Sequence, residues 1–233
     1  MSNPNANAIS ASRSGINVKT LTSLAMLTAL TYLAMLLSNM LPKFSGFLQM
    51  EIKGTVIAIG GFLFGPLSAA VISIVVALVE MFTVSETGPI GCVMNMLAAC
   101  SFACPAAFVY KRIHTRKGAV IGLTAGVVTL IVTMLLWNYL ITPLYMTNFS
   151  RAEIAAMLPT IFLPFNLVKG GLNMALTLVL YKPVVTALRK AKLAPESRPA
   201  EGAANGSKAG FMLFSLALLV TFVVLMLVLT GKI

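Results

Sequence analysis

The chain alternates long apolar runs with short polar or basic breaks. A helix that crosses a bilayer needs about 20 apolar residues. Five runs meet that length: 18–41, 89–110, 118–142, 159–181 and 210–230. A sixth, 54–83, would make a helix about 45 Å long, too long for one crossing and short for two. Gly65-Pro66 interrupts it near the middle, and such a pair punctuates structure. The pattern therefore predicts two short helices, 54–65 and 66–83. Segments 42–53, 84–88 and 143–158 then fall together at one side of the bundle.

The two ends of the chain read differently. Residues 1–16, MSNPNANAISASRSGI, are small and polar and predict a tail, with no cleavable signal peptide. Residues 17–193 form the six-helix membrane domain. Residues 194–209, APESRPAEGAANGSKA, have the composition of a flexible linker. The last run, 210–230, carries no polar residue beyond Ser215 and Thr221 and predicts one additional, lipid-facing helix.

Composition fixes the class. Of 233 residues 58% are hydrophobic and 10% charged, with a mean hydropathy of +0.94, whereas soluble domains carry roughly 25% charged residues. This predicts an all-α, multi-pass protein of the cell membrane. The net charge of +11 does not point to nucleic acid. The basic residues cluster between apolar runs, at Lys111, Arg112, Arg116 and Lys117 and again at Lys182, Arg189, Lys190, Lys192 and Arg198. That is the positive-inside pattern, with attraction to anionic membrane lipid. Arg13 and Lys19 add a cytoplasmic N-terminus. An even number of crossings must separate it from the basic loop 111–117, and only the break at Gly65-Pro66 supplies one.

Small residues recur every fourth position at Gly118, Gly122 and Gly126, at Gly61, Gly65, Ala69, Ser73 and Ala77, and at Ala25 and Ala29. Such faces bring membrane helices close. Each reads either as packing inside the bundle or as a docking face for another membrane protein.

Polar residues inside apolar runs need a partner or a cavity. Here they are Glu80, Asn95, Asn138, Tyr139, Asn166, Lys169 and Asn173. Asn166, Lys169 and Asn173 stand at i, i+3 and i+7 and share one helix face. If the helix begins at Pro164, Lys169 lies about 8 Å from its start and can snorkel to the surface. Snorkelling does not account for the two asparagines, which serve either to hold helices together or to line a site. Amides with one ammonium suit a polar, uncharged ligand, and Trp137, Tyr139, Tyr145, Phe162 and Phe165 offer surface for a flat ring.

The chain has no phosphate-binding G-x-x-x-x-G-K-[ST] motif, no H-E-x-x-H and no paired aspartates, and its one histidine, His114, sits in a basic loop. Cys92, Cys100 and Cys104 lack metal-ligand spacing and read as small packing residues. No enzyme, metal or cofactor is expected, and a binding or transport subunit is.

Three stretches, LQMEIKGTVIAIGGFLFGPLSAAV (48–71), NYLITPLY (138–145) and LPFNLVKG (163–170), resemble motifs of the S components of energy-coupling factor (ECF) vitamin transporters, specifically the riboflavin-binding type. The likeness covers about residues 20–190. It implies a six-helix S-component bundle that captures riboflavin at the outer face. A transmembrane coupling subunit and two ATPase subunits would supply the energy, so that ATP is used by the partners. It also implies that Asn138, Asn166 and Lys169 hydrogen-bond the vitamin, and that the first loop, Phe44 to Glu51, caps it. The candidate site is these three residues with Asn95, Tyr139, Tyr145 and Asn173, plus Phe47, Leu48 and Glu51 from the loop. Ala25 and Ala29 would dock on the coupling subunit. Two features depart from the pattern. EIKG (51–54) offers one carboxylate where the family's DFSD has two, and the helix at 210–230 is extra. Alternatives are another vitamin or a flavin relative such as roseoflavin or FMN, and, in a different class, a membrane scaffold.

Overall fold

The computed structural model describes residues 18–41, 43–85, 87–146, 148–194 and 208–232. The predicted tail 1–16, with Arg13, and nearly all of the predicted linker 194–209 lie outside them. The elements are α1 (Val18–Ser38), α2 (Lys53–Phe64), α3 (Pro66–Thr83), α4 (Gly88–Arg112), α5 (Arg116–Leu140), α6 (Thr142–Tyr145), α7 (Arg151–Met157), α8 (Leu163–Lys190) and α9 (Lys208–Leu229). Among the described residues there is no strand, only an isolated bridge between Phe44 and Leu48. Among the described residues, six helices are long and apolar enough to cross a membrane. The protein is an all-α multi-pass membrane protein, a six-helix bundle with one further C-terminal helix.

The break falls at the predicted place. Gly65 has φ of +98°, a conformation that favours glycine, and Pro66 opens α3 at a position that needs no N–H. The chain doubles back there, because Gly60 meets Ile72 and Gly61 meets Ala69 across the turn. With only 12 residues, α2 rises about 18 Å and is too short to cross alone. The segment before it packs against the bundle. Met50 is fully buried in that segment, and Glu51 nearly so.

The core is built on close approach. Ala103, Ala106 and Ala107 of α4 are fully buried, with Leu27, Ile57, Ile72 and Leu123 around them. A Cβ on Gly122 would lie 2.6 Å from the Ala106 carbonyl oxygen, and one on Gly61 would lie 2.8 Å from the Ala107 Cβ. The glycine stripes of α2 and α5 are thus packing faces. The α1 stripe differs. Its buried face is Ser23, Leu27, Thr31, Met35 and Ser38, and Ala25 and Ala29 are exposed on the other side.

The segment before α8 departs from expectation. The predicted helix 159–181 and the predicted loop 143–158 are replaced by a helical path from Arg151 to Lys190. Ser150 and Glu153 start it with a capping box, the Ser150 N–H donating to Glu153 Oε2 at 2.7 Å and the Glu153 N–H to Ser150 Oγ at 3.2 Å. It passes Pro159 and Pro164 through a wide π-helical turn, Leu158–Phe162. Proline removes an N–H and crowds the preceding turn, and widening that turn accommodates both. Pro164 is therefore not the start of the helix. At the far end α8 runs through Pro183 to Arg189 and Lys190, basic residues that suit a helix C-terminus. The additional helix, α9, packs on α8, where the Phe222 ring lies over Gly171.

Gly122→Val should push α4 and α5 apart, at roughly 1–3 kcal/mol for overpacking. The thermal midpoint of the purified protein should fall by several degrees. Val128→Leu, at a position 56% exposed, should leave it unchanged.

Candidate functional site

At the end of the bundle away from the basic clusters, the helices and the first loop line a cavity of about 460 Å³. Small-molecule sites commonly hold about 300–1,000 Å³. Met35 and Asn39 of α1, Glu80 of α3, Met94, Asn95 and Ala98 of α4, Met134 and Asn138 of α5, and Phe162, Phe165, Asn166 and Lys169 from the α8 side form its wall. The loop between α1 and α2 contributes Lys43, Phe47, Leu48, Gln49 and Glu51.

A chain of buried charge forms part of this wall. Lys169 Nζ donates to Glu51 Oε2 at 2.6 Å. Glu51 Oε1 accepts from Lys53 Nζ at 3.0 Å. The same ammonium donates to both oxygens of Glu80 at 2.7 Å. Asn95 Nδ2 completes the line, donating to Glu80 Oε2 at 2.9 Å. Two cations face two anions, so the group carries no net charge, which is the condition for burying ions at tolerable cost. Glu51 stands in the loop, outside the spanning helices. Burial alone would raise its pKa, but the ammonium groups of Lys169 and Lys53 outweigh burial and hold it at about 2. It is ionised throughout the physiological range.

Seven of the ten predicted ligand residues line the cavity: Asn95, Asn138, Asn166, Lys169, Phe47, Leu48 and Glu51. Lys169 does not snorkel. Its ammonium turns inward to Glu51, because the helix extends well beyond Pro164 and no water-exposed end lies nearby. Asn138 donates to the Met134 carbonyl at 2.7 Å and accepts from Thr142 Oγ1 at 3.0 Å, and Asn166 donates to the Phe162 carbonyl at 2.8 Å. Each amide thus has one hydrogen tied to a carbonyl of its own helix, and the Asn138 oxygen is also engaged by Thr142.

Asn173 has a different setting. Its Oδ1 accepts from the Thr55 N–H at 2.8 Å, and its Nδ2 donates to the Glu51 carbonyl at 2.7 Å. It clasps the start of α2 below the cavity. Tyr139 and Tyr145 do not line the cavity. Tyr139 is 40% exposed, since neighbours on a helix point about 100° apart and Asn138 takes the inward direction. Tyr145 hydrogen-bonds Thr142 Oγ1 at 3.1 Å. Of the aromatics, Phe162 and Phe165 form wall, and Trp137 does not.

Lys53 and Glu80 are the site residues that sequence reasoning missed. Glu80 stood out as an acid in an apolar run, but its partner lies 27 positions away. The signal was that Lys53 and Glu80 carry the only opposite charges on the two arms of the α2–α3 hairpin.

A bundle of membrane-crossing helices around a cavity of this size, lined by amides, charged groups and aromatic rings, has the form of a membrane-embedded subunit that binds a small molecule. Residues 19–181 match the family described as ECF transporter, substrate-specific component, and the chain belongs to that family. It is 26% identical over 177 residues to the riboflavin transporter RibU of Staphylococcus aureus (strain TCH60), covering 74% of this chain and 93% of that protein. It is 29% identical over 163 residues to the riboflavin transporter FmnP of Bacillus subtilis (strain 168), covering 66% and 86%. A solved S component of a bacterial ECF transporter shares the fold with a TM-score of 0.62 at 23% identity, over 74% of this chain and 98% of that one. α9 lies beyond the matched residues.

Asn173→Leu leaves the Thr55 N–H and the Glu51 carbonyl without their buried partner. At about 1–3 kcal/mol for each group left unsatisfied, the thermal midpoint should fall by more than it does for Thr186→Ala on an exposed face of the same helix.

Proposed function

We propose that this chain is the riboflavin-binding S component of an ECF transporter, capturing the vitamin from outside the cell for import. The observation that carries this reading is the cavity itself. Asn95, Asn138, Asn166 and Lys169 set polar groups beside the aromatic faces of Phe162 and Phe165. Riboflavin presents the complement, a flat heterocycle edged with donors and acceptors and a chain of hydroxyls. The two curated relatives are named as riboflavin transporters, which supports the same ligand. A scaffold whose amides only glue helices together would have no reason to form a polar cavity of this size.

Orientation follows from charge. Basic clusters on the side away from the cavity favour a cytoplasmic placement of that side, with the N-terminus, so that the cavity opens outward beneath the loop from Lys43 to Glu51. The chain has no ATP-binding motif, and the energy for import comes from a transmembrane coupling subunit and two ATPase subunits. The exposed Ala25/Ala29 stripe on α1 is the surface that fits a helix of the coupling subunit, because small residues allow close approach.

Riboflavin fluorescence should be quenched when the vitamin is titrated with purified wild-type protein at sub-micromolar concentration. Lys169→Met and Asn166→Ala should each weaken binding about 10- to 100-fold, the loss of one hydrogen bond to a polar or charged group. A wild type that leaves the fluorescence unchanged overturns the reading.

Ala25→Trp or Ala29→Trp should abolish riboflavin uptake by cells that carry the coupling module, and should leave quenching by the purified protein unchanged. Loss of quenching would return the stripe to a packing role.

A further inference from the structure

Lys53 is the one member of the charge chain that does not line the main cavity. It stands behind Glu51 and Glu80, buried, with its ammonium bonded to those two carboxylates. Its place invites a structural explanation, but buried ion pairs are poor stabilisers, and an apolar residue of similar volume often serves the fold as well or better. Retention of an ammonium here calls for a reason at the site.

That reason lies in the hydrogen-bonding capacity of the wall. A carboxylate has about four lone-pair positions. Glu51 uses two, for Lys53 and Lys169, and Glu80 uses three, two for Lys53 and one for Asn95. Both residues border the cavity, so acceptor capacity remains where a ligand would sit. Without a cation between them the two carboxylates would repel each other, and protonation of one would become easier as pH falls. The carboxyl that takes up the proton becomes a donor, as happens when like charges share a site. The other groups facing this pair are Lys43 from the loop and Lys169 from α8, and α1, α4 and α5 supply only the neutral Asn39, Asn95 and Asn138.

We propose that Lys53 is a positioning residue for the ligand: it keeps Glu51 and Glu80 ionised side by side as hydrogen-bond acceptors, so that this wall selects a ligand presenting hydroxyl or N–H donors. The inference rests on the riboflavin reading and adds which wall meets the ligand's donors and which residue sets that wall's protonation.

The test is riboflavin quenching by the full-length protein in detergent from pH 5.5 to 8, for wild type, Glu80→Gln, Lys53→Met and the double variant. Wild-type affinity should vary with pH far less than that of Lys53→Met, because the Lys53 ammonium bonded to both carboxylates opposes their protonation. Lys53→Met should bind about a hundredfold more weakly at pH 8, the effect of an uncompensated buried charge. It should recover by about tenfold at pH 5.5, as one carboxyl takes up the proton that replaces the ammonium. Glu80→Gln should weaken binding by about tenfold at every pH, one charged acceptor being lost. The double variant, with Glu51 still paired to Lys169, should bind as Glu80→Gln does and show no pH dependence. Such non-additivity marks residues that act through one another.

A Lys53→Met variant with a flat pH profile, or a double variant weaker by the product of the single effects, would mean that Lys53 serves only the fold. If Lys53→Met does not fold, comparison of the double variant with Glu80→Gln decides alone. Equal affinity supports the inference, and tenfold weaker binding in the double overturns it. Failure of the wild type to quench overturns the riboflavin reading and this inference with it, whereas wild-type quenching with the wrong variant pattern overturns this inference only.

Discussion

One ammonium held between two carboxylates organises the cavity end of the molecule. An unpaired ion buried away from water costs several kcal/mol. Lys53 therefore has to meet Glu51 and Glu80, and Glu51 has to meet Lys169. Meeting those distances draws the loop, α2, α3 and α8 together, and Asn95 adds α4. Other bonds follow the same path. Ser38 at the end of α1 accepts from the Ile52 N–H at 3.0 Å, and its carbonyl accepts from Gln49 Nε2 at 2.6 Å. Each accounts for a polar group that would otherwise be stranded on an irregular segment. The cavity exists because the helices are held at their ends by these polar ties, with no side chain filling the space between.

The apolar side of the same loop is fixed differently. Phe44 and Met50 pack into a cluster with Phe165, Val168 and Leu172 of α8 and Met226 of α9. Gly171 lets the Phe222 ring lie directly on α8, which brings α9 close enough to reach that cluster. The extra helix thus has a structural place. Its inner side backs the loop and α8, and its other side, including Met212, Leu213 and Val220, is exposed, as suits a surface that faces lipid. The wall of the cavity is a loop tied by charge on one side and by burial on the other.

Most of the fold was legible because the bilayer imposes simple rules. Runs of about 20 apolar residues mark crossings, and Gly65-Pro66 marks the hairpin through a local constraint. The path from Arg151 to Lys190 was not legible, because Pro159 and Pro164 read as starts and loops when only local rules apply. The π-helical turn that carries the chain past them depends on packing. Asn138, Asn166 and Lys169 were visible as polar exceptions in apolar runs. Whether such an exception faces a cavity or a neighbour is set by rotation about the helix and by distant partners. Tyr139 stands beside Asn138 in the chain and faces away, and Lys169 points to a carboxylate 118 positions earlier.

The single carboxylate of EIKG, where the resembling sequences have two, looks at first like a weakened site. The structure gives a reason for its form. A Cβ on Gly54 would lie 2.9 Å from Asn173 Oδ1 and 3.3 Å from the Phe102 ring, so no acidic side chain fits at that position while Asn173 clasps α2. The second carboxylate beside the cavity is instead Glu80, brought in from α3. Two anions so close in a dry setting require a cation, and Lys53 lies one residue before Gly54, where its ammonium reaches both. Gly54, Lys53 and Glu80 are best understood as one unit. The bare glycine admits the clasp, the clasp fixes the start of α2, and that start aims Lys53 between the two acids. Each of the three looks anomalous by itself, and each is explained by the other two.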